Sequence, residues 1–121
     1  DLHRFLRFVE ASLITLLAEY GLPAGRRDGL TGVWIEDRKI ASIGVGVRRW
    51  VTQHGFALNV SNASDGFAAI TPCGIAGVRM TTLSIETGRA QNVREVARRY
   101  ESVFRELLQR APDLDSDQDP P

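Results

Sequence analysis

Cysteine is almost absent from this chain: Cys73 is the only one in 121 residues. A single thiol excludes an internal disulfide, and beside only two histidines it makes a poor metal set. No metal is therefore expected. An excess of one charge is also lacking, since fifteen basic side chains balance fifteen acidic ones. That balance leaves no net field to draw in nucleic acid or anionic lipid. Arg48-Arg49 and Arg98-Arg99 are pairs rather than stripes and read as solvated surface. No apolar run approaches the ~20 residues needed to span a bilayer, and no stretch has a signal-peptide pattern. A cytoplasmic protein is expected, with neither nucleic acid nor membrane as a partner. The sequons Asn59-Val60-Ser61 and Asn62-Ala63-Ser64 are then chance matches.

Lysine is as scarce as cysteine. Of the fifteen basic residues fourteen are arginine, and Lys39 alone is lysine. Lysine offers a compact ammonium with a tunable pKa, which guanidinium does not.

What is present is ordinary for one globular domain, with 43% hydrophobic and 25% charged residues. Leu2, Phe5, Leu6, Val9, Leu13, Leu16, Leu17 and Tyr20 form the stripe of an amphipathic helix, ended by Gly21 and Pro23. A loop, "AGRRDG", follows through Gly29. Gly32-Val33-Trp34-Ile35 and the segment 39–47 read as two strands joined by a turn at Glu36-Asp37-Arg38. Further strand-like runs fall at 50–52 and 56–60, and 61–66 is a polar loop. A short helix is expected over 82–87, stopped by Gly88. Asn92 followed by Glu95 resembles a capping box for a last helix carrying Val93, Val96, Ala97, Tyr100, Val103, Phe104, Leu107 and Leu108. The order helix, β-meander, helix predicts an α+β domain with helices packed on a mixed, mainly antiparallel sheet. That domain is read as residues 1–111, and 112–121 as an acidic tail with little to bury, expected to be disordered.

Cys73 lies in "AITPCGIAG". Free cysteines are most often small buried hydrophobes. The local sequence points the other way: Pro72 pushes Thr71 to an extended form, and Gly74 permits geometry closed to other residues. Such a segment suits an exposed thiol and the close approach of a substrate carbonyl. Lys39 likewise has two readings, an exposed turn lysine or a functional amine. Together they make chemical sense. A free thiol of pKa ~8.5 is only a few per cent thiolate at neutral pH. A unit positive charge ~4 Å away, at an effective dielectric of ~20, contributes ~4 kcal/mol, enough to lower that pKa by up to ~3 units before burial takes some back. The same lysine, once deprotonated, can act as a general base for an incoming amine. His54 is the competing base, since Cys-His pairs are the commoner arrangement, and is given a supporting role. Gly44-Val45-Gly46 is no dinucleotide fingerprint, but glycines within a strand mark a bulge or a ligand lying on the backbone.

The segments "GRRDGLTGVWIEDRKIASIGVGVRRWVTQHGFALNV", "ITPCGIAG" and "TTLS" closely resemble the octanoyltransferase family, also called lipoate-protein ligase B. The resemblance runs from the first helix to Ser84 and covers about the C-terminal half of the family. It implies a fold similar to the catalytic domains of biotin and lipoate ligases. It implies transfer of an octanoyl group from octanoyl-acyl carrier protein to a lysine of lipoyl domains, those of the 2-oxoacid dehydrogenases and of the glycine-cleavage carrier protein. The family's acyl-thioester cysteine falls on Cys73 and its pKa-lowering lysine on Lys39. Residues lining the acyl pocket fall on Ser42-Ile43-Gly44 and Gly55-Phe56-Ala57, with Ser42 where alanine is usual. Gly74 and Ile75 would supply backbone amides near the thioester. No cofactor is implied, because the thioester arrives activated. The family also carries an upstream half with an Arg-Gly-Gly and a Tyr-His-Gly segment; nothing in this chain matches them, so that half is expected as a partner. A non-catalytic module binding an acyl group or carrier domain is the alternative, and a nucleotide-using ligase would need a phosphate loop that no segment supplies.

Overall fold

The computed structural model describes residues 2–48, 51–61, 71–72 and 79–110. Helix α1 (Leu2–Glu19) turns Phe8, Val9, Leu13, Leu16 and Leu17 inward. It closes as its periodicity predicts: Gly21 takes φ 79°, and the amides of Gly21 and Leu22 bond back to Ala18 and Leu17.

Strand β1 (Gly25–Arg27) corrects the loop expected there. Asp28-Gly29 makes a two-residue turn, Gly29 at φ 76°, which brings Arg27 opposite Leu30 at the start of β2 (Leu30–Ile35). A second tight turn, with Glu36 at φ 55°, leads into β3 (Arg38–Arg48), so Arg38 belongs to the strand rather than the turn. Strand β4 (Val51–Leu58) is continuous where two separate runs were expected. The ladder explains this, since β3 offers unbroken antiparallel partners from Arg48↔Val51 to Ala41↔Leu58. Tertiary pairing overrides the weak strand preference of the middle of β4.

Two very short strands complete the sheet, β5 (Thr71–Pro72) and β6 (Arg79–Met80). The strand order is β1-β2-β3-β6-β5, with β4 also on β3. All described pairings are antiparallel except β3–β6, which is parallel. Helix α2 (Leu83–Thr87) starts where Thr82 Oγ1 accepts the Ile85 amide at 3.1 Å and stops at Gly88, φ 69°. Helix α3 (Val93–Arg110) is capped by Asn92, whose Oδ1 accepts the Glu95 amide at 3.1 Å.

The described residues thus form the expected α+β domain. Helices α1 and α3 cover one face of the sheet, meeting Val33, Ile35, Ile40, Ala41 and Ile43 in one apolar core with Leu83, Val96 and Val103. Phe8 meets Phe104 edge-on at 5.2 Å, and Ser12 Oγ stands 2.8 Å from the Tyr100 hydroxyl, joining the two helices. Among the described residues no helix is long and apolar enough to cross a membrane.

Candidate functional site

Strand β3 organises the site, and one irregularity in it decides which side chains meet. On the β2 side Val33 pairs with Ala41, but Trp34 pairs with Lys39. Strand β2 advances by one residue while β3 advances by two, so Ile40 is an extra residue, a β-bulge. Ile40 and Ala41 are consecutive yet both fully buried in the helix-facing core. The usual alternation of faces is therefore broken once. Strict alternation would place Lys39 on the face of Ile43; after the bulge it shares the opposite face with Ser42 and Gly44. Its register partner Trp34, outside the main apolar cluster, shares that face, and Lys39 Nζ lies 5.7 Å from the centre of the indole.

The same face continues onto β4. Ser42 pairs with Ala57 and Gly44 with Gly55, so small residues face each other across the ribbon beyond Lys39. Ile43 pairs with Phe56, and these two lie on the other side. Phe56 meets the Tyr100 ring of α3 in a tilted contact, centroids 4.9 Å apart, beside an apolar groove of about 220 Å³ lined by Leu58, Val60, Val93, Val96 and Ala97 as well. Of the six residues implied for the acyl pocket, the structure brings Ser42, Gly44, Gly55 and Ala57 together with Lys39, and turns Ile43 and Phe56 toward α3. His54 stands in β4 opposite Val45. Cys73, Gly74 and Ile75 lie outside the described residues. The chain leading to them is described: Thr71 pairs with Met80, and Met80 with Lys39. Thr71 is thus two strands from Lys39 in one row, roughly 10 Å at the usual strand spacing.

Strands as short as β5 and β6 need support beyond their own ladder, and polar side chains unrecognised in the sequence supply it. The Thr81 amide donates to Lys39 O at 2.9 Å and the Asn59 amide to Ile40 O at 3.0 Å, so the two segments share one edge of β3. Asn59 Nδ2 donates to Thr81 O at 3.2 Å, and Asn59 O accepts the Leu83 amide. Arg38 grips Glu86 of α2 with two bonds of 2.8 and 2.9 Å, and Thr81 Oγ1 donates to the same carboxylate at 2.7 Å. Burial pushes the Glu86 carboxyl up, but the bonds from Arg38 and Thr81 and the Arg38 charge outweigh it, leaving its pKa below the ordinary 4.5. Arg79 clasps Asp37 at 2.9 Å, and that hydrogen bond holds the Asp37 carboxyl low despite some desolvation. Among the described residues no group of three or more His, Cys, Asp or Glu could hold a metal ion.

Comparison with known proteins bears on this arrangement. Residues 1–105 match the family model described as the lipoyl protein ligase A/B catalytic domain. The chain is 50% identical over 117 residues to an octanoyltransferase of Geobacter metallireducens, covering 96% of this chain and 55% of that protein. It is 58% identical over 95 residues to an octanoyltransferase of Geobacter sulfurreducens, covering 78% and 40%. The chain spans about half the length of the curated relatives it matches. Among solved structures, the apo biotin protein ligase of Aquifex aeolicus superposes with a TM-score of 0.67 at 19% identity, covering 89% of this chain and 46% of that one. That likeness concerns the fold alone.

Proposed function

The chain belongs to the lipoyl protein ligase A/B catalytic-domain family, and on that premise we propose that it carries the nucleophile of an octanoyltransferase. The observation that carries the reading is the placement of the one lysine. Lys39 shares a face with the small residues Ser42, Gly44, Gly55 and Ala57, in the same row of the sheet as the strand that runs into Cys73. A floor without large side chains suits an extended aliphatic chain lying on the backbone.

In this reading the resting pair is Cys73 thiolate and Lys39 ammonium, each stabilising the other's charge. The thiolate attacks the octanoyl thioester of acyl carrier protein, forming a new sulfur–carbonyl bond. The carrier's thiol leaves with the proton of the Lys39 ammonium. The amine of a lipoyl-domain lysine then attacks the Cys73 thioester, Lys39 accepts the proton released, and Cys73 departs as thiolate. The ion pair is restored. Amides of Gly74 and Ile75 would hold the oxyanion in both steps. The arriving thioester is already activated, so the reading calls for no metal or nucleotide. The proposed setting is the cytoplasm. The alternative is a non-catalytic module that binds an acyl group or a carrier domain.

The test is covalent capture. With an octanoyl-loaded carrier, intact-mass measurement should show one octanoyl group, labile to hydroxylamine and mapped to Cys73, and absent in Cys73→Ala. An adduct that persists in Cys73→Ala removes the nucleophile. Absence of any adduct in the parent, with carrier still bound, favours the binding module.

A further inference from the structure

We propose that Trp34 and Gly32 are the positioning residues of Lys39: the indole is the platform that holds its ammonium, and the glycine is the space through which its stem passes. The proposal rests on the role given to Lys39 above. A lysine side chain has many accessible rotamers, so an amine that must serve a neighbouring thiol needs something to restrict it.

Several observations converge on these two residues. Trp34 is only 3% exposed yet stands outside the main apolar cluster. Its Nε1 is buried with no hydrogen-bond partner among the described residues. Buried indoles usually place their N–H against an acceptor. Here the π face is what its neighbours use, with Lys39 Nζ at 5.7 Å and Arg27 Cζ at 5.2 Å from the ring centre. Gly32 acts from the same strand. At φ 109° it adopts a backbone form that side chains rarely take, and a Cβ there would stand 2.6 Å from Ala41 O and 2.8 Å from Lys39 Cε. Strand β2 therefore leaves a gap shaped for the lysine stem, with an aromatic face near its end. The bulge at Ile40 sets Lys39 on that face in the first place.

Because Lys39 is the only lysine, its amine can be watched without any reaction. Reductive methylation with ¹³C-formaldehyde gives one dimethyl-lysine signal, separable from the chain's α-amine, and dimethylation keeps the positive charge. In the parent that signal should lie upfield of free dimethyl-lysine, displaced by the indole ring current. Trp34→Phe should retain a smaller displacement, Trp34→Leu should abolish it, and Gly32→Ala should shift it. A parent signal at the free position, or a displacement as large in Trp34→Phe as in the parent, overturns the proposal even where Trp34→Leu fails to fold. Octanoyl transfer supplies the second arm. Trp34→Leu should lower kcat on the order of tenfold with KM for the loaded carrier unchanged, and Trp34→Phe should recover much of it. A rise in KM alone would show that Trp34 shapes the pocket instead. If the displacement is present but the parent forms no Cys73 adduct, the positioning stands and the catalytic reading falls.

Discussion

Replacing Arg38 by methionine should expose how the site is held together. Arg38 and Glu86 are 18% and 9% exposed at the side chain, and their two bonds of 2.8 and 2.9 Å form a fork that ties α2 to the start of β3. Its third bond, to Glu36, reaches a carboxylate that is 77% exposed and contributes little. Arg38→Met leaves the Glu86 carboxylate in its buried position with the Thr81 hydroxyl as the remaining side-chain donor. Removing one partner of a buried pair costs about 3–5 kcal/mol, because the other charge is left uncompensated. The lower end applies here, since Glu86 can take up a proton. A loss of about 3 kcal/mol in a domain of this size lowers Tm by roughly 10 °C. The double variant Arg38→Met, Glu86→Leu removes both charges and should regain most of the loss. Urea and thermal unfolding of the parent, Arg38→Met, Glu86→Leu and the double variant give the coupling energy directly. A single-variant cost below about 1 kcal/mol, or losses that simply add, would show that the pair behaves as a surface ion pair and does not anchor α2 to β3.

Two further predictions rest on the same kind of contact. The Glu86 carboxyl has its folded pKa below the ordinary 4.5, so its contribution to stability is full above that value and is lost as pH falls through the folded one; the stability deficit of Arg38→Met against the parent should therefore be largest above about pH 4.5 and shrink as pH falls through the folded pKa, and a deficit unchanged across that range would contradict the direction of the shift. Ser12→Ala removes the 2.8 Å partner of the half-buried Tyr100 hydroxyl between α1 and α3, and should cost about 1–2 kcal/mol in urea unfolding, with Ser12→Ala, Tyr100→Phe costing little more than Ser12→Ala alone.

The helices were legible because their signals are local. The stripe of α1, the Thr82 and Gly88 ends of α2 and the Asn92 cap of α3 each lie within a few residues of the structure they specify. The strands were legible in proportion to their length. Strands β2 and β3 stood out, whereas β5 and β6 did not, for β6 depends on the edge that β3 offers, where Arg38, Asn59 and Thr81 hold the chain, and β5 in turn pairs with β6. Strand β1 did carry a signal, Asp28-Gly29, that its flanking arginines obscured. In the site, the rarity of Lys39 picked it out. Its face could not be read, because strict alternation gives the wrong answer when a bulge intervenes. Trp34 was read as strand filler, and nothing in its neighbours' sequence says that its ring meets two cations.

The bulge also explains how one strand serves two unlike tasks. Strand β3 must bury Ile40, Ala41 and Ile43 against α1 and α3, and must also present Lys39 with Ser42 and Gly44 to the opposite side. A regular strand would force a choice between them, since moving Lys39 to the small-residue face would turn its apolar set outward. One extra residue removes the conflict. The core face gains two consecutive buried side chains, and the other face keeps its lysine and its glycines in phase. The two sides then differ in what fixes them. Close-packed leucines and valines hold the helix side, where Leu13→Ala or Leu16→Ala would cost about 2–5 kcal/mol. Hydrogen bonds from Arg38, Asn59 and Thr81 hold the edge to which the chain returns after the Cys73 segment. Those bonds are directional, so they fix register more closely than apolar contact does, and register is what brings Thr71, Met80 and Lys39 into one row.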